Sequence, residues 1–171
     1  MRTFLPRIGA GLLLAAAGPA VAATVPATGT AVGDETATVN RIDLDHVLIW
    51  TSIELDPISA EDPESPFGGL GGPCFGQVEV DGTTVSGGGY CTWTDGDGDG
   101  LTVRWTATGP GEETSLGSAS LTTTVTTSGD WEAMAGTGKW QDVTGGGTYR
   151  IGVDATTGRH VNHYAGVLTI P

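Results

Sequence analysis

Between residues 72 and 108 the chain is written in short alternating runs, each closed by a turn signal. Asp81-Gly82-Thr83-Thr84 separates the run 74–80 from 85–94, and Asp95-Gly96-Asp97-Gly98-Asp99-Gly100 separates 85–94 from 101–108. Asp-Gly between such runs marks a hairpin, because glycine accepts the positive φ that a tight turn requires. In the third run Leu101, Val103, Trp105 and Ala107 share one face while Thr102, Arg104, Thr106 and Thr108 share the other. That is the period of two of a strand with one face in a core. No segment sustains an apolar period of 3.6, and Gly, Thr and Val are abundant where a helix wants Ala, Leu, Glu and Lys. Such a chain folds as antiparallel sheet.

Carried along the sequence, the same reading predicts strands at 46–55, 74–80, 85–94, 101–108, 118–126, 131–136, 146–153 and 162–170, with one short helical turn around Trp140 to Val143. About eight strands with Gly87-Gly88-Gly89 and Gly145-Gly146-Gly147 at or near strand interiors fit a single antiparallel barrel, since glycines there mark the bends that curl a sheet. A β-sandwich is the alternative, because corner glycines also serve strands that switch sheets. Residues 56–73 hold four prolines, four acids and four glycines, the make-up of a long lid or binding loop. Residues 24–42 are poor in large apolar side chains and read as a flexible leader or a loosely held first strand, leaving 43–171 as the barrel domain.

The first 23 residues have a basic start with Arg2 and Arg7, an apolar run from Ile8 to Ala17, and small residues at Ala20-Val21-Ala22-Ala23. This is the pattern of a secretory signal peptide, too short in its apolar part to span a bilayer. No cysteine lies nearby to take a lipid. The expected location is therefore secreted or periplasmic, without membrane insertion. Removal of 1–23 leaves five basic against 20 acidic residues, a formal charge of −15. So many carboxylates repel phosphate backbones, which excludes nucleic acid as a natural partner.

Both cysteines survive that removal, and an even number in an exported chain predicts a disulfide. If Asp81 to Thr84 is a four-residue turn, Val80 faces Val85, and counting outward sets Cys74 opposite Cys91. The other reading of the two thiols is a reactive or metal-binding pair.

The segment Gly136-Thr137-Gly138-Lys139-Trp140-Gln141-Asp142-Val143-Thr144-Gly145-Gly146-Gly147-Thr148-Tyr149 resembles one found in allene oxide cyclase-like and dirigent-like barrels, where a GTGK-aromatic strand end turns into a G-x-G-x-Y strand. Cys91-Thr92-Trp93-Thr94-Asp95 followed by Asp97-Gly98-Asp99 looks like a bacterial exported branch of that group. The resemblance covers roughly 72–170. It implies an eight-stranded antiparallel barrel with a central cavity, used in some members for cyclisation or for guiding the coupling of hydrophobic substrates. It carries no catalytic residue over to this chain.

Asp95, Asp97 and Asp99 before Gly100 match the D-x-D-x-D-G start of a calcium loop, whose alternate carboxylates converge on a hard cation. Thr106 stands where a closing bidentate Glu belongs, and the flanks read as strands, so the same residues also read as the solvated tip of a hairpin. His160 and His163 form H-x-x-H, but on a strand an offset of three puts them on opposite faces, away from any shared metal. His163 or Tyr164 can point into a cavity as a proton donor, or simply meet water. Gly136 to Lys139 fails as a phosphate loop: Trp140 follows the lysine and no helix begins there. No G-x-S-x-G elbow occurs. Arg104 and Glu79 are the charges set most firmly within strands, lining a cavity or facing solvent. The tryptophans at 50, 93, 105, 131 and 140 either fill a barrel or line a pocket for an apolar ligand.

These readings converge on an exported barrel binding a small apolar ligand, with Trp105, Arg104, Glu79, Tyr164 and His163 as candidate contacts and no cofactor required. Two alternatives stand beside it: a cyclase or isomerase acting on a hydrophobic substrate in the cavity, and a calcium-stabilised surface or structural protein.

Overall fold

In the computed structural model, residues 22–110, 123–154 and 157–171 are described. Residues 1–21 of the segment read as a signal peptide, and the first part of the strand expected at 118–126, lie outside them. Of the two readings of residues 24–42, the strand is the one found. β1 (Ala23–Pro26) and β2 (Gly29–Arg41) occupy that segment, followed by β3 (His46–Leu55), β4 (Gly72–Asp81), β5 (Thr84–Thr94), β6 (Gly100–Pro110), β7 (Thr123–Gly136), β8 (Thr144–Asp154) and β9 (His160–Ile170). The one helical element among the described residues is a 3-10 turn at Gly138–Trp140, slightly ahead of the expected position.

Each consecutive pair from β2 to β9 is antiparallel, and β9 also pairs with β2, so the eight strands close into a barrel. β1 adds to the same edge of β9 as β2 and in the same register: Ala23 opposes Ile170, Gly29 opposes Tyr164 and Gly33 opposes His160. β1 and β2 are thus one strand broken at Ala27 and Thr28. The break leaves backbone groups without ladder partners, and Ser65 meets that need: its Oγ accepts from Thr28 N at 3.0 Å and donates to Thr28 O at 2.8 Å.

β7 differs from expectation. The anticipated gap between 126 and 131 does not exist; a single strand runs through Ser128-Gly129-Asp130, with register shifts at Val125/Thr127 against β8 and at Ala107/Gly109 against β6. Gly129 looks like a turn residue but serves close packing, since a Cβ there would strike Thr106 O and the Tyr149 ring. The eight barrel strands therefore come from one strand more at the N-terminal side and one fewer in the middle than the sequence pattern suggests.

The hairpin register holds as counted: Val80 opposes Val85 and Cys74 opposes Cys91, which form the disulfide. Both cysteines face inward and are buried. Leu101, Val103 and Ala107 are buried on the inner face of β6 while Arg104, Thr106 and Thr108 are exposed on the outer one. Outward positions of other strands carry Glu54, Glu132 and Arg150, also exposed.

One end of the barrel is stoppered. Loop 56–71 folds over it and sends down Ile58, Phe67 and Leu70, none more than 3% exposed, and Trp140 and Val143 enter from the 137–143 connection. Phe67 packs its ring against Trp93, Trp131 and Tyr164 at centroid distances of 5.6, 5.1 and 6.1 Å. The long loop is the core's lid, held by apolar burial and by hydrogen bonds such as Ile58 N to Leu70 O at 2.7 Å.

Candidate internal ligand site

Below the stopper the barrel is not filled. A cavity of about 440 Å³ extends from Trp93, Trp131 and Tyr164 toward Val39, Val80 and Val153 near the other end. That volume lies in the range of small-molecule sites, which are mainly apolar with a few placed polar groups. Two glycines help make the room. Gly76 of β4 and Gly89 of β5 lie against the Trp105 indole, and a Cβ on either would collide with it. Without those side chains the indole lies along the wall, its ring centroid 6.2 Å from that of Tyr149 in a T-shaped arrangement.

The polar groups come mainly from β2, β3 and β9, with the Tyr149 hydroxyl from β8 and Trp93 Nε1 from β5. His160 Nε2 lies 2.7 Å from Glu35 Oε2, and the Thr51 hydroxyl donates to Glu35 Oε1. The His160 hydrogen bond, against the opposing effect of burial, holds the Glu35 carboxyl below its ordinary range, and Thr51 adds to this. Glu35 is thereby an anion fixed by two donors. The second nitrogen, His160 Nδ1, is buried with no partner among the described residues, and so are Asn162 Nδ2 and the Tyr149 hydroxyl. Asn162 is only 2% exposed. Burial pushes the phenols of Tyr149 and Tyr164 well above the usual range, so both remain neutral.

Of the residues singled out from sequence, Trp105 and Tyr164 line this cavity. Glu79, Arg104 and His163 do not; they point outward and are engaged there. Glu79 meets His46 Nε2 at 2.6 Å, Arg104 meets Glu132 at 2.5 Å, and His163 Nδ1 lies 2.9 Å from the Thr30 hydroxyl. Burial lowers the His163 pKa, partly countered by Glu61. His160 and His163 lie on opposite faces, as an offset of three on a strand requires, but it is His160 that enters the cavity. Four of the five tryptophans face the interior, and Trp50 lies outside at 54% exposure.

Sequence reasoning did not single out Glu35, Thr51, Asn162 or the inward role of His160. One signal was present: His160, Asn162 and Tyr164 alternate along a strand and so must share a face. Glu35 carried no such signal, because its segment lacked the large apolar residues that mark a strand.

The aspartate turn has another occupation. Asp95 Oδ1 accepts from the backbone of Asp97 and Asp99 at 2.9 and 3.1 Å, while Oδ2 takes Lys139 Nζ at 2.7 Å and Trp140 Nε1 at 3.2 Å. Asp99 Oδ2 accepts from the backbone N of Lys139, an approach open only because Gly138, at φ +56°, has no Cβ in the way. The Asp-Gly run and the GTGK segment thus form one lock that seats Trp140 in the barrel end. Asp97 is left at the surface, its side chain 84% exposed. Among the described residues no group of three or more His, Cys, Asp or Glu side chains converges to hold a metal ion.

The fold and site define a class: an antiparallel barrel stoppered at one end, with an apolar cavity that carries a Glu35–His160 polar pair and opens toward the other end. Comparison with protein-family models, curated proteins and solved structures finds no match to this chain.

Proposed function

We propose that this is an exported protein whose barrel binds a small apolar compound. The observation that carries the reading is the cavity itself, walled by side chains such as Val39, Ile49, Val78, Val80, Val85 and Trp105. Closed barrels of eight strands are wide enough to hold one small ligand. Export is supported by the basic and apolar leader and by the Cys74–Cys91 disulfide, which belongs to a non-reducing compartment. The likeness of 136–149 to allene oxide cyclase-like and dirigent-like barrels agrees with a closed barrel used as a container.

The test is titration of the purified protein with the neutral dye N-phenyl-1-naphthylamine. Saturable one-to-one enhancement is the expected result, lost in a Val80→Arg variant whose circular dichroism matches wild type. A folded wild-type protein that shows no saturable enhancement would end this reading.

A second reading, a cyclase or isomerase, is favoured by the Glu35–His160 pair, since a carboxylate that orients an imidazole is how proteins hold a general base. Its test is a search for a product of unchanged mass and altered retention after incubation with unsaturated apolar probes. Equal conversion by a His160→Phe variant removes the imidazole from the step.

A further inference from the structure

Among the described residues, most unpartnered polar atoms of the cavity lie on β9 and its neighbour β8, as His160 Nδ1, Asn162 Nδ2 and the Tyr149 hydroxyl, while a single buried donor, Trp93 Nε1, stands on the opposite wall. β9 turns His160, Asn162 and Tyr164 inward at alternate positions, Glu35 reaches His160 from β2, and Thr51 reaches Glu35 from β3. In the closed order of eight strands β5 stands four places from β9 in either direction. The facing wall is therefore Val85, Cys91 and Trp93, flanked by Val78, Val80 and Trp105. A compound that suits both walls has an apolar body and one polar end.

The chemistry of the polar wall narrows that end. A carboxylate held as an anion can only accept, so the proton between Glu35 and His160 is carried by Nε2. An imidazole that carries only this proton presents Nδ1 as a bare acceptor, and Nδ1 is buried without a protein partner. Two positions along the same face, Asn162 Nδ2 can only donate, and it too is buried without a protein partner. The wall thus offers an acceptor and a donor from alternate positions of one strand face. An ether or ketone only accepts and leaves Nδ1 unpaired. An ammonium only donates and leaves the Asn162 amide unpaired. A carboxylate only accepts, would sit beside the Glu35 anion, and finds no Arg or Lys among the lining residues. A hydroxyl both donates and accepts, and is neutral.

We propose that the cavity selects a neutral apolar compound bearing a hydroxyl group, with the O–H directed to His160 Nδ1 and the oxygen placed to accept from Asn162 Nδ2. Glu35 is the positioning residue that orients His160 through Nε2, and Thr51 holds Glu35. The proposal rests on the reading of the cavity as a small-molecule site, and its test separates the two.

The experiment is displacement of N-phenyl-1-naphthylamine by octan-1-ol, by its isomer 1-methoxyheptane and by octanoate. The two isomers share apolar bulk and differ in the O–H. Octan-1-ol is expected to displace the dye at about tenfold lower concentration than the ether, as one well-placed hydrogen bond implies, and octanoate is expected to be weaker than the alcohol. In His160→Phe the alcohol's advantage should shrink to about twofold or less while ether binding persists, since only the acceptor is lost. Asn162→Leu should narrow the gap in the same direction. Parity of alcohol and ether on the wild type, or octanoate as the best ligand, overturns the hydroxyl inference and leaves the cavity reading standing. Failure of the dye and of all three probes to bind overturns both. Should neither variant fold, the wild-type comparison of the two isomers decides alone.

Discussion

Replacing Phe67 with alanine tests whether the long acidic loop really is the barrel's stopper. Phe67 has no solvent exposure and contacts three aromatic rings, those of Trp93, Trp131 and Tyr164. Truncating a buried phenylalanine costs about 3–5 kcal/mol, from lost transfer energy plus the void left behind. Aromatic pairs add about 0.5–1.5 kcal/mol each beyond area burial, which places this site in the middle to upper part of that range. A loss of about 4 kcal/mol lowers Tm by roughly 8–16 °C in a domain of this size. The void would also open onto the cavity beneath, so the variant should bind N-phenyl-1-naphthylamine with altered affinity. Phe75→Ala is the internal control: that ring is 48% exposed on the outer face, and its removal should cost under about 1 kcal/mol. Thermal unfolding followed by near-ultraviolet circular dichroism and by urea gives both values. A Phe67→Ala drop below about 3 °C, or equal losses for the two variants, would mean that the loop does not seal the barrel in solution.

Reduction of the Cys74–Cys91 bond, which closes a separation of 17 residues, should destabilise the protein by roughly 3 kcal/mol, read by urea denaturation with and without dithiothreitol; an unchanged midpoint would deny the bond a stabilising role. Asp95 is held far below the ordinary carboxylate range, chiefly by Lys139, and Glu35 is lowered by His160, so both contribute stability that is complete above the ordinary carboxylate pKa and lost as pH falls through the lowered values. Asp95→Asn should therefore be less stable than wild type at neutral pH, with the gap closing in acid, and a gap that widens in acid would contradict the assignment. Because the oxygens of Asp95 are already taken by Lys139, Trp140 and two backbone amides, millimolar calcium should leave Tm unchanged; a calcium-dependent rise abolished by Asp97→Ala would restore the calcium loop.

The sheet and its register were readable from residues alone wherever a turn signal fixed the count. Asp81 to Thr84 aligned Val80 with Val85 and delivered Cys74 to Cys91, because side chains in a strand alternate with a period of two and a one-residue slip would reverse every face. The same alternation set Leu101, Val103, Trp105 and Ala107 inside and separated His160 from His163. Local patterning also gave the absence of long helices among the described residues and the barrel-like spacing of the turns.

What local pattern could not carry was decided by closure. β2 is a strand because β3 and β9 supply its hydrogen bonds on both sides, not because Thr, Ala and Gly at 29–38 favour one. Ser128-Gly129-Asp130 stays extended because Tyr149 needs the space that a side chain at 129 would fill. Glu79 and Arg104, firmly within strands as read, lie on the outside because strand parity puts them there. Glu35, Thr51, His160 and Asn162 span 128 positions of sequence and meet only when β9 returns to β2 and shuts the barrel. The sequence thus determined that this chain makes twisted antiparallel sheet with known faces; the closed barrel alone decided which polar side chains share an interior, since burial and pairing across the seam are properties of the whole sheet.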